Sequence, residues 1–422
     1  MKIHSQSSAL VACAVLFLSW TPNLQTSRAG SNDLKRAEAY EQVERLAEVM
    51  LLIEKHYVKE KAYGELLDGA LEGMLRSLDP HSNFLEPEEL IDMQEETEGK
   101  YGGIGVYIDI RDDVLTVVAP IEDTPAFHAG LKSGDRIIKI ENEPTTGIGL
   151  NEVVKKLRGE AETEVNVTVL PAGEDKPREV KLVRETINVT NVKGTRMLDK
   201  GIGYLRITQF ASPTAEAVDE ALSSLEKEGM DALILDLRSN HGGLLQSAVE
   251  VAEKFLPKGV EIVTTRSRQG REAVLTADGK RRLTDIPLAV LVNSGTASAS
   301  EIVAGALRDH NRAVLVGDIT YGKGSVQSII RLKTEKDAAV RLTTAYYHTP
   351  GGQKIHKTGI EPDIKVYIPP DEWHRVRVSR LHRENPEHYT EEERREYKDV
   401  VDRQLREAVR LLKGIRIFQF RR

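Results

Sequence analysis

The sequence predicts an α/β protein: a buried sheet covered by helices in the second half of the chain, preceded by a β-rich unit and a helical N-terminal unit. Three observations predict it. Between residues 202 and 316, short apolar, β-branched runs alternate with amphipathic helical stretches, the pattern of strands buried on both faces. From about residue 100 the runs are short and separated by Gly, Asp, Asn or Pro, which is β texture. Residues 33–78 carry apolar positions at helical spacing. A chain of 422 residues exceeds one ordinary core, and at ~150 residues per domain it holds about three units.

Taken in order, residues 1–29 read as an export signal. Lys2 supplies the positive end, residues 9–20 the apolar stretch, and Ser27-Arg28-Ala29 a small-x-small cleavage site. The stretch falls short of the ~20 residues a membrane-spanning helix needs, and an uncleaved segment would act as an anchor. Leu10-Val11-Ala12-Cys13 faintly resembles a lipoprotein signal, but most of the apolar run follows the cysteine. Cys13 is the only cysteine, so the mature chain has no disulfide or thiol chemistry. The expected location is outside the cytoplasm, in the periplasm or cell envelope.

Residues 30–95 form the helical unit, with Leu46, Val49, Met50 and Ile53 on one helix and Leu66, Leu67, Ala70, Leu71, Met74 and Leu75 on another. Asp79-Pro80-His81-Ser82 is a turn cluster, and a short helix starts near Pro87. His81 reads as structural. Residues 96–185 form the β-rich unit, with brief helices at 125–129 and 150–157. A linker is expected over 185–200. Residues 186–370 form the core, with strands at 202–210, 232–237, 288–292 and 313–316 and helices at 214–228, 244–255 and 298–308. Residues 371–422 are a charged, helical tail or packing arm with Leu405, Val409 and Leu412 as a thin apolar stripe.

With 40% hydrophobic and 30% charged residues the composition is that of a globular protein, and a net charge of -7 offers no broad basic face, which argues against a nucleic-acid partner. A metal site is not expected either, because no two histidines share ligand spacing with a carboxylate.

The residues that could carry chemistry lie in the second half. Gly295-Thr296-Ala297-Ser298-Ala299-Ser300-Glu301 follows an apolar strand and opens a helix, where a nucleophile can be exposed on a sharp turn and a helix N-terminus offers N–H groups to an oxyanion. The same four residues, Ser298 to Glu301, also fit a capping box. A serine nucleophile needs a base, and His241, His310 and Lys323 are the candidates. Lys323, between Gly322 and Gly324, is either a solvated loop charge or a desolvated amine able to accept a proton.

Three separated motifs in order resemble the carboxy-terminal processing peptidases, also called tail-specific proteases. They are Asp236-Leu237-Arg238-Ser239-Asn240-His241-Gly242-Gly243, the run around Ser298, and the stretch from Val316 through Lys323 to Gln327. The resemblance runs from the N-terminal helices to about residue 370. It implies a Ser-Lys endopeptidase on a crotonase-like core with an inserted PDZ domain and no cofactor. Carried over by position, Ser298 is the nucleophile, Lys323 the general base and Gln327 its orienting partner. The N–H of Ala299 and that of Gly242 or Gly243 form the oxyanion hole. The family often has proline where this chain has His241. Asp309 matches an aspartate sometimes counted as catalytic, yet an unbroken helix puts it ~16 Å along the axis from Ser298, so it reads as structural or tuning.

Residues 100–184 resemble a PDZ domain, with Tyr101-Gly102-Gly103-Ile104-Gly105-Val106 as the carboxylate-binding loop. The implied partners are proteins or peptides with free, apolar C-termini. Arg158 resembles a family arginine that couples peptide binding to the active site, and it equally fits a solvated charge at a helix C-terminus. A homo-oligomer or an adaptor is left open. Three other readings stand beside this one. Residues 317–323 approach a Walker loop but lack Ser or Thr at 324 and a following helix. A Ser-His-Asp hydrolase would use His241. A non-catalytic PDZ scaffold would keep the core only for its fold.

Overall fold

Ala232–Asp236 and Leu288–Val292 are apolar at nearly every position and buried along their whole length, as strands covered on both faces must be. The computed structural model describes residues 28–419 except 112–113, 122, 133, 280–285, 335–337, 385 and 387–388, so the apolar stretch of the export signal lies outside the described residues. These fall into two compact units divided after Gly73. The first holds α1 (Arg28–His56) and most of α2 (Tyr63–Arg76). None of the described helices is long and apolar enough to cross a membrane.

The second unit opens with the Asp79 turn, β1 (Asn83–Leu85) and α3 (Pro87–Glu98). Gly99 ends α3 in the left-handed region at φ 70°, which glycine adopts without a Cβ penalty. The chain then runs through β2 (Lys100–Gly103), β3 (Val106–Arg111), β4 (Val114–Pro120), α4 (Pro125–His128), β5 (Arg136–Ile140), β6 (Glu143–Pro144), α5 (Leu150–Leu157), β7 (Glu164–Leu170), β8 (Arg178–Val183) and β9 (Glu185–Asn188). Strands β3 to β8 make an antiparallel sheet. It encloses Val117, Ile137, Val165 and Val167 beneath Ala126 of α4 and Val153 and Leu157 of α5. β2 pairs antiparallel with β9, so the chain enters and leaves this sheet through two adjacent strands.

Next come β10 (Val192–Asp199), β11 (Ile202–Ile207), α6 (Thr214–Lys227), β12 (Ala232–Asp236), α7 (Leu245–Ala252), β13 (Glu261–Ser267), β14 (Glu272–Thr276), β15 (Leu288–Val292) and α8 (Ala299–Asp309). The chain ends with β16 (Val314–Gly317), β17 (Ser325–Arg331), β18 (Ala339–His348), β19 (Ile364–Lys365), α9 (Pro370–Glu384), α10 (Glu391–Glu396) and α11 (Arg403–Gln419). The main sheet has the order β10-β11-β12-β15-β16-β19. From β11 onward its strands are parallel. Alternate side chains take opposite faces: Leu205, Leu233, Leu235, Val290 and Val292 pack with α6, α7 and α8, while Tyr204, Ile234, Ala289 and Leu291 pack with Ala408 and Leu412 of α11. The C-terminal stripe is therefore one layer of the core. A second sheet places β18 between β17 on one side and β1 and β13 on the other, with β14 beyond β13. Residues 185–200 correct the expectation of a linker: β9 and β10 occupy most of them, and β10 closes the main sheet on β11.

Candidate active site

The loops that follow β12 and β15 leave the same ends of two paired parallel strands, where open α/β sheets place their sites. They are laced together. Asn293 Oδ1 accepts the N–H of Ser239 at 2.8 Å and of Gly295 at 3.1 Å, Thr296 Oγ1 donates to the Leu237 carbonyl at 2.9 Å, and the Asn240 carbonyl accepts from the Ala297 N–H and the Ser300 hydroxyl, both at 2.9 Å. Held in this way, Ser298 takes φ 56° and ψ −117° ahead of α8. That is a strained conformation for a residue with a Cβ, of the kind maintained at functional turns.

Gly242 lies against this turn. A Cβ on it would come within 2.8 Å of Ser298 Cβ and 2.9 Å of the Ala299 nitrogen, and one on Gly243 would strike the Phe210 carbonyl at 2.1 Å. Glycine is required at both positions. The Gly242 N–H donates to Asn240 Oδ1 at 2.9 Å. Those of Gly243 and Ala299 find no acceptor among the described residues.

Lys323 reaches the same cleft, a space of about 610 Å³ lined by Ser298, Lys323, Gln327, His241, Gly243 and residues of α3. Its flanking glycines allow the backbone to lie flush on residues 355–359: a Cβ on Gly324 would sit 2.2 Å from the His356 nitrogen. The lysine is half-buried, and its side-chain ammonium makes no hydrogen bond or ion pair among the described residues. Burial, and then the like charge of Arg341, hold its pKa below the ordinary lysine value.

A group that the sequence marks only as part of a helix cap joins the two. Glu301, fully buried, accepts the N–H of Ser298 at 2.8 Å, of Gly322 at 2.7 Å and of Lys323 at 2.9 Å, and the Thr320 hydroxyl at 2.5 Å. Burial pushes its carboxyl up, against these donors, which pull it down. Its position in the Ser-x-x-Glu run signals a helix cap, and the second half of its role becomes visible only once residues 320–323 fold back. The Asp79 turn is the other missed contributor. Asp79 holds the Ser82 N–H and hydroxyl, Ser82 Oγ accepts the Thr343 N–H at 3.1 Å, and Thr343 holds Gln327. His81 lies close enough to Lys323 for the lysine charge, after burial, to lower its pKa.

Not all expected residues meet. Gln327 donates to Thr343 at 3.0 Å and Ser325 at 3.1 Å and makes no hydrogen bond to Lys323. His241 is exposed at the cleft without a carboxylate partner among the described residues. Asp309, at the far end of α8, accepts the Gly351 N–H at 2.8 Å. Arg158 stacks over Tyr101 at 4.5 Å, and no hydrogen bond joins it to Gln327 among the described residues. Tyr101, Gly102 and Gly103 belong to β2, and the Gly102 N–H is taken by Glu95 at 3.1 Å. Ile104 and Gly105, between β2 and β3, keep N–H groups without an acceptor among the described residues. They border an apolar groove of about 290 Å³ lined also by Val106, Ile108, Val154 and Leu157. This groove shares Tyr101 and Arg158 with a second cavity, which shares Met93, Glu96, Gln209 and Arg341 with the Ser298 cleft.

Comparison with known proteins adds the following. A family model described as peptidase family S41 matches residues 201–366, one for the PDZ domain residues 116–171, and one for the activating protease CtpB N-terminal domain residues 12–89. The carboxy-terminal-processing protease of Bartonella bacilliformis is 43% identical over 336 residues, 78% of this chain and 76% of that protein. The carboxyl-terminal-processing protease of Synechocystis sp. is 41% identical over 327 residues, 76% of this chain and 75% of that protein. Among solved structures, a putative S41 protease from Bacteroides fragilis is similar at a TM-score of 0.50 and 16% identity, over 85% of this chain and 92% of that one, a likeness of fold.

Proposed function

The chain belongs to the carboxy-terminal-processing proteases of peptidase family S41 and is a serine-type peptidase with a PDZ domain, and we propose that it cuts proteins near a C-terminus it has first bound, with Ser298 as nucleophile and Lys323 as base. One observation carries this reading: Ser298 and an unpaired, half-buried lysine open into one cleft, and a single buried carboxylate holds the backbone of both. The neutral amine of Lys323 takes the Ser298 hydroxyl proton as Oγ attacks the substrate carbonyl carbon. The N–H groups of Ala299 and Gly243 receive the oxyanion. The lysine ammonium then gives its proton to the leaving amine. Water, deprotonated by the same amine, releases the acyl group from Oγ. Gln327 would orient the lysine after leaving Thr343. A Ser-His-Asp mechanism lacks support, since no acid orients His241 among the described residues. A scaffold without activity would give no reason for a strained Ser298.

We read residues 96–185 as the PDZ domain and 186–370 as the crotonase-like peptidase core, the parallel strands β11, β12, β15 and β16 with α6 to α8 supporting the latter. The free N–H groups of Ile104 and Gly105 beside an apolar groove suit a terminal carboxylate and its side chain, and the shared linings supply a path to Ser298. Amidating the C-terminus of a peptide substrate removes only that charge. At concentrations well below KM, cleavage of the amide is expected to be at least roughly tenfold slower, the scale of one lost charge-assisted hydrogen bond. Equal rates for acid and amide would remove tail recognition and leave the peptidase.

Lys2, the apolar stretch and Ala29 support export. Protein recovered from the cell envelope is expected to begin at Gly30 on N-terminal sequencing. Cytosolic protein that retains Met1 would contradict it.

A further inference from the structure

We propose that the free edge of β17 receives the substrate main chain as an added strand, which aligns the scissile bond over Ser298. This rests on the serine-peptidase reading above and deepens it.

The observations start with pairing. β17 pairs with β18 alone: Ile329 to Arg331 lie opposite the same β18 residues, 339–341, that pair on their other side with β1, and Ser325 and Val326 lie opposite 345–346, which pair on their other side with β13. Its second edge therefore has no strand partner among the described residues. A bare edge is a template for another chain, and folded proteins ordinarily blunt it with charge, proline or a covering element. Here Ile329 and Ile330 remain 37% and 47% exposed.

The direction of the backbone groups follows from one bond. The Leu332 N–H donates to the Ala338 carbonyl across the hairpin, and antiparallel pairs alternate. Ile330 and Ser328 therefore turn their backbone groups toward β18, and Ile329 and Arg331 turn theirs to the open edge. Ser325, Gln327, Ile329 and Arg331, alternate residues on one face, are also the ones whose side chains line the cleft with Ser298 and Lys323. The groups that could bond an extended peptide thus belong to the residues that already form the wall of the cleft. Seven residues at ~3.3 Å each span about 20 Å, enough for about six substrate residues beginning beside Lys323. This continuity selects a substrate polypeptide as the occupant over a second copy of the chain. Recognition through the main chain would make the cleft tolerant of side chains and leave selection to the tail-binding groove.

The test replaces one amide at a time by an ester along a free-acid peptide that the wild-type enzyme cleaves, on both sides of the scissile bond and excluding it. Each ester deletes one N–H and changes little else. Strand addition is expected to lower kcat/KM roughly fivefold or more, the scale of one backbone hydrogen bond, at every second residue over a run on one side, with small effects between. A flat profile, as when a second copy occupies the edge, would overturn the proposal, and so would equal losses at consecutive residues. The peptidase reading fails differently: the unmodified peptide would survive the wild-type enzyme, or be cleaved as well by Ser298→Ala.

Discussion

Replacing Ser298 by alanine, or Lys323 by alanine or arginine, is expected to lower kcat/KM by about four orders of magnitude or more while far-UV circular dichroism and melting temperature stay close to wild type. A nucleophile and its base act as one unit, so either loss removes nearly the whole acceleration and the double variant is little worse than either single one. Arginine fails for a separate reason, since its guanidinium stays charged at any working pH and cannot accept the serine proton. The same assignment sets the pH dependence. Burial and Arg341 depress the Lys323 pKa, so the neutral, active amine is already forming below the ordinary lysine value. Activity should therefore climb with pH through the depressed value. Arg341→Gln removes a like charge, raises that pKa and should move the rising limb to higher pH. Substantial turnover by Lys323→Ala, with His241→Ala inactive, would transfer the base role to His241.

The sequence makes local features legible and leaves long-range pairings hidden. β12 and β15 read as buried strands because Ala232–Asp236 and Leu288–Val292 lack polar alternation. β18 does not: its order of small, charged and aromatic residues has no single period, and its partner β1 lies about 250 residues away in the chain. β10 reads as a linker because half-exposed polar residues interrupt its apolar positions, whereas it is fixed by pairing with β11. The stripe Leu405, Val409 and Leu412 marks an amphipathic helix, but nothing in it names the sheet face it covers. Ser298 and Lys323 stand out through their motifs. That Gly243 and not Gly242 keeps an open N–H depends on the Asn240 side chain, which no motif announces.

Glu301→Gln should impair the enzyme deeply, though less than the loss of Lys323, while leaving the side chains of the nucleophile and the base unchanged. The carboxylate holds four donors, from Ser298, Thr320, Gly322 and Lys323. Glutamine has nearly the same shape, but its NH2 group turns two of those contacts into donor against donor. Each buried N–H left unsatisfied costs about 1–3 kcal/mol, so about 2–6 kcal/mol is lost between stability and positioning. The loss falls on the two loops whose registration brings Ser298 to Lys323. We expect a lower melting temperature together with a fall of about two to three orders of magnitude in kcat, at little change in KM for peptides held by the distant groove. Labelling of Ser298 by a fluorophosphonate should slow in parallel, because that reaction needs the same activated hydroxyl. Acid pH should imitate the variant, since burial raises the Glu301 carboxyl and protonation converts an acceptor into a donor. A variant with normal kcat and labelling but reduced melting temperature would reduce Glu301 to a helix cap, and the loop holding Lys323 would then need another explanation for its place beside Ser298.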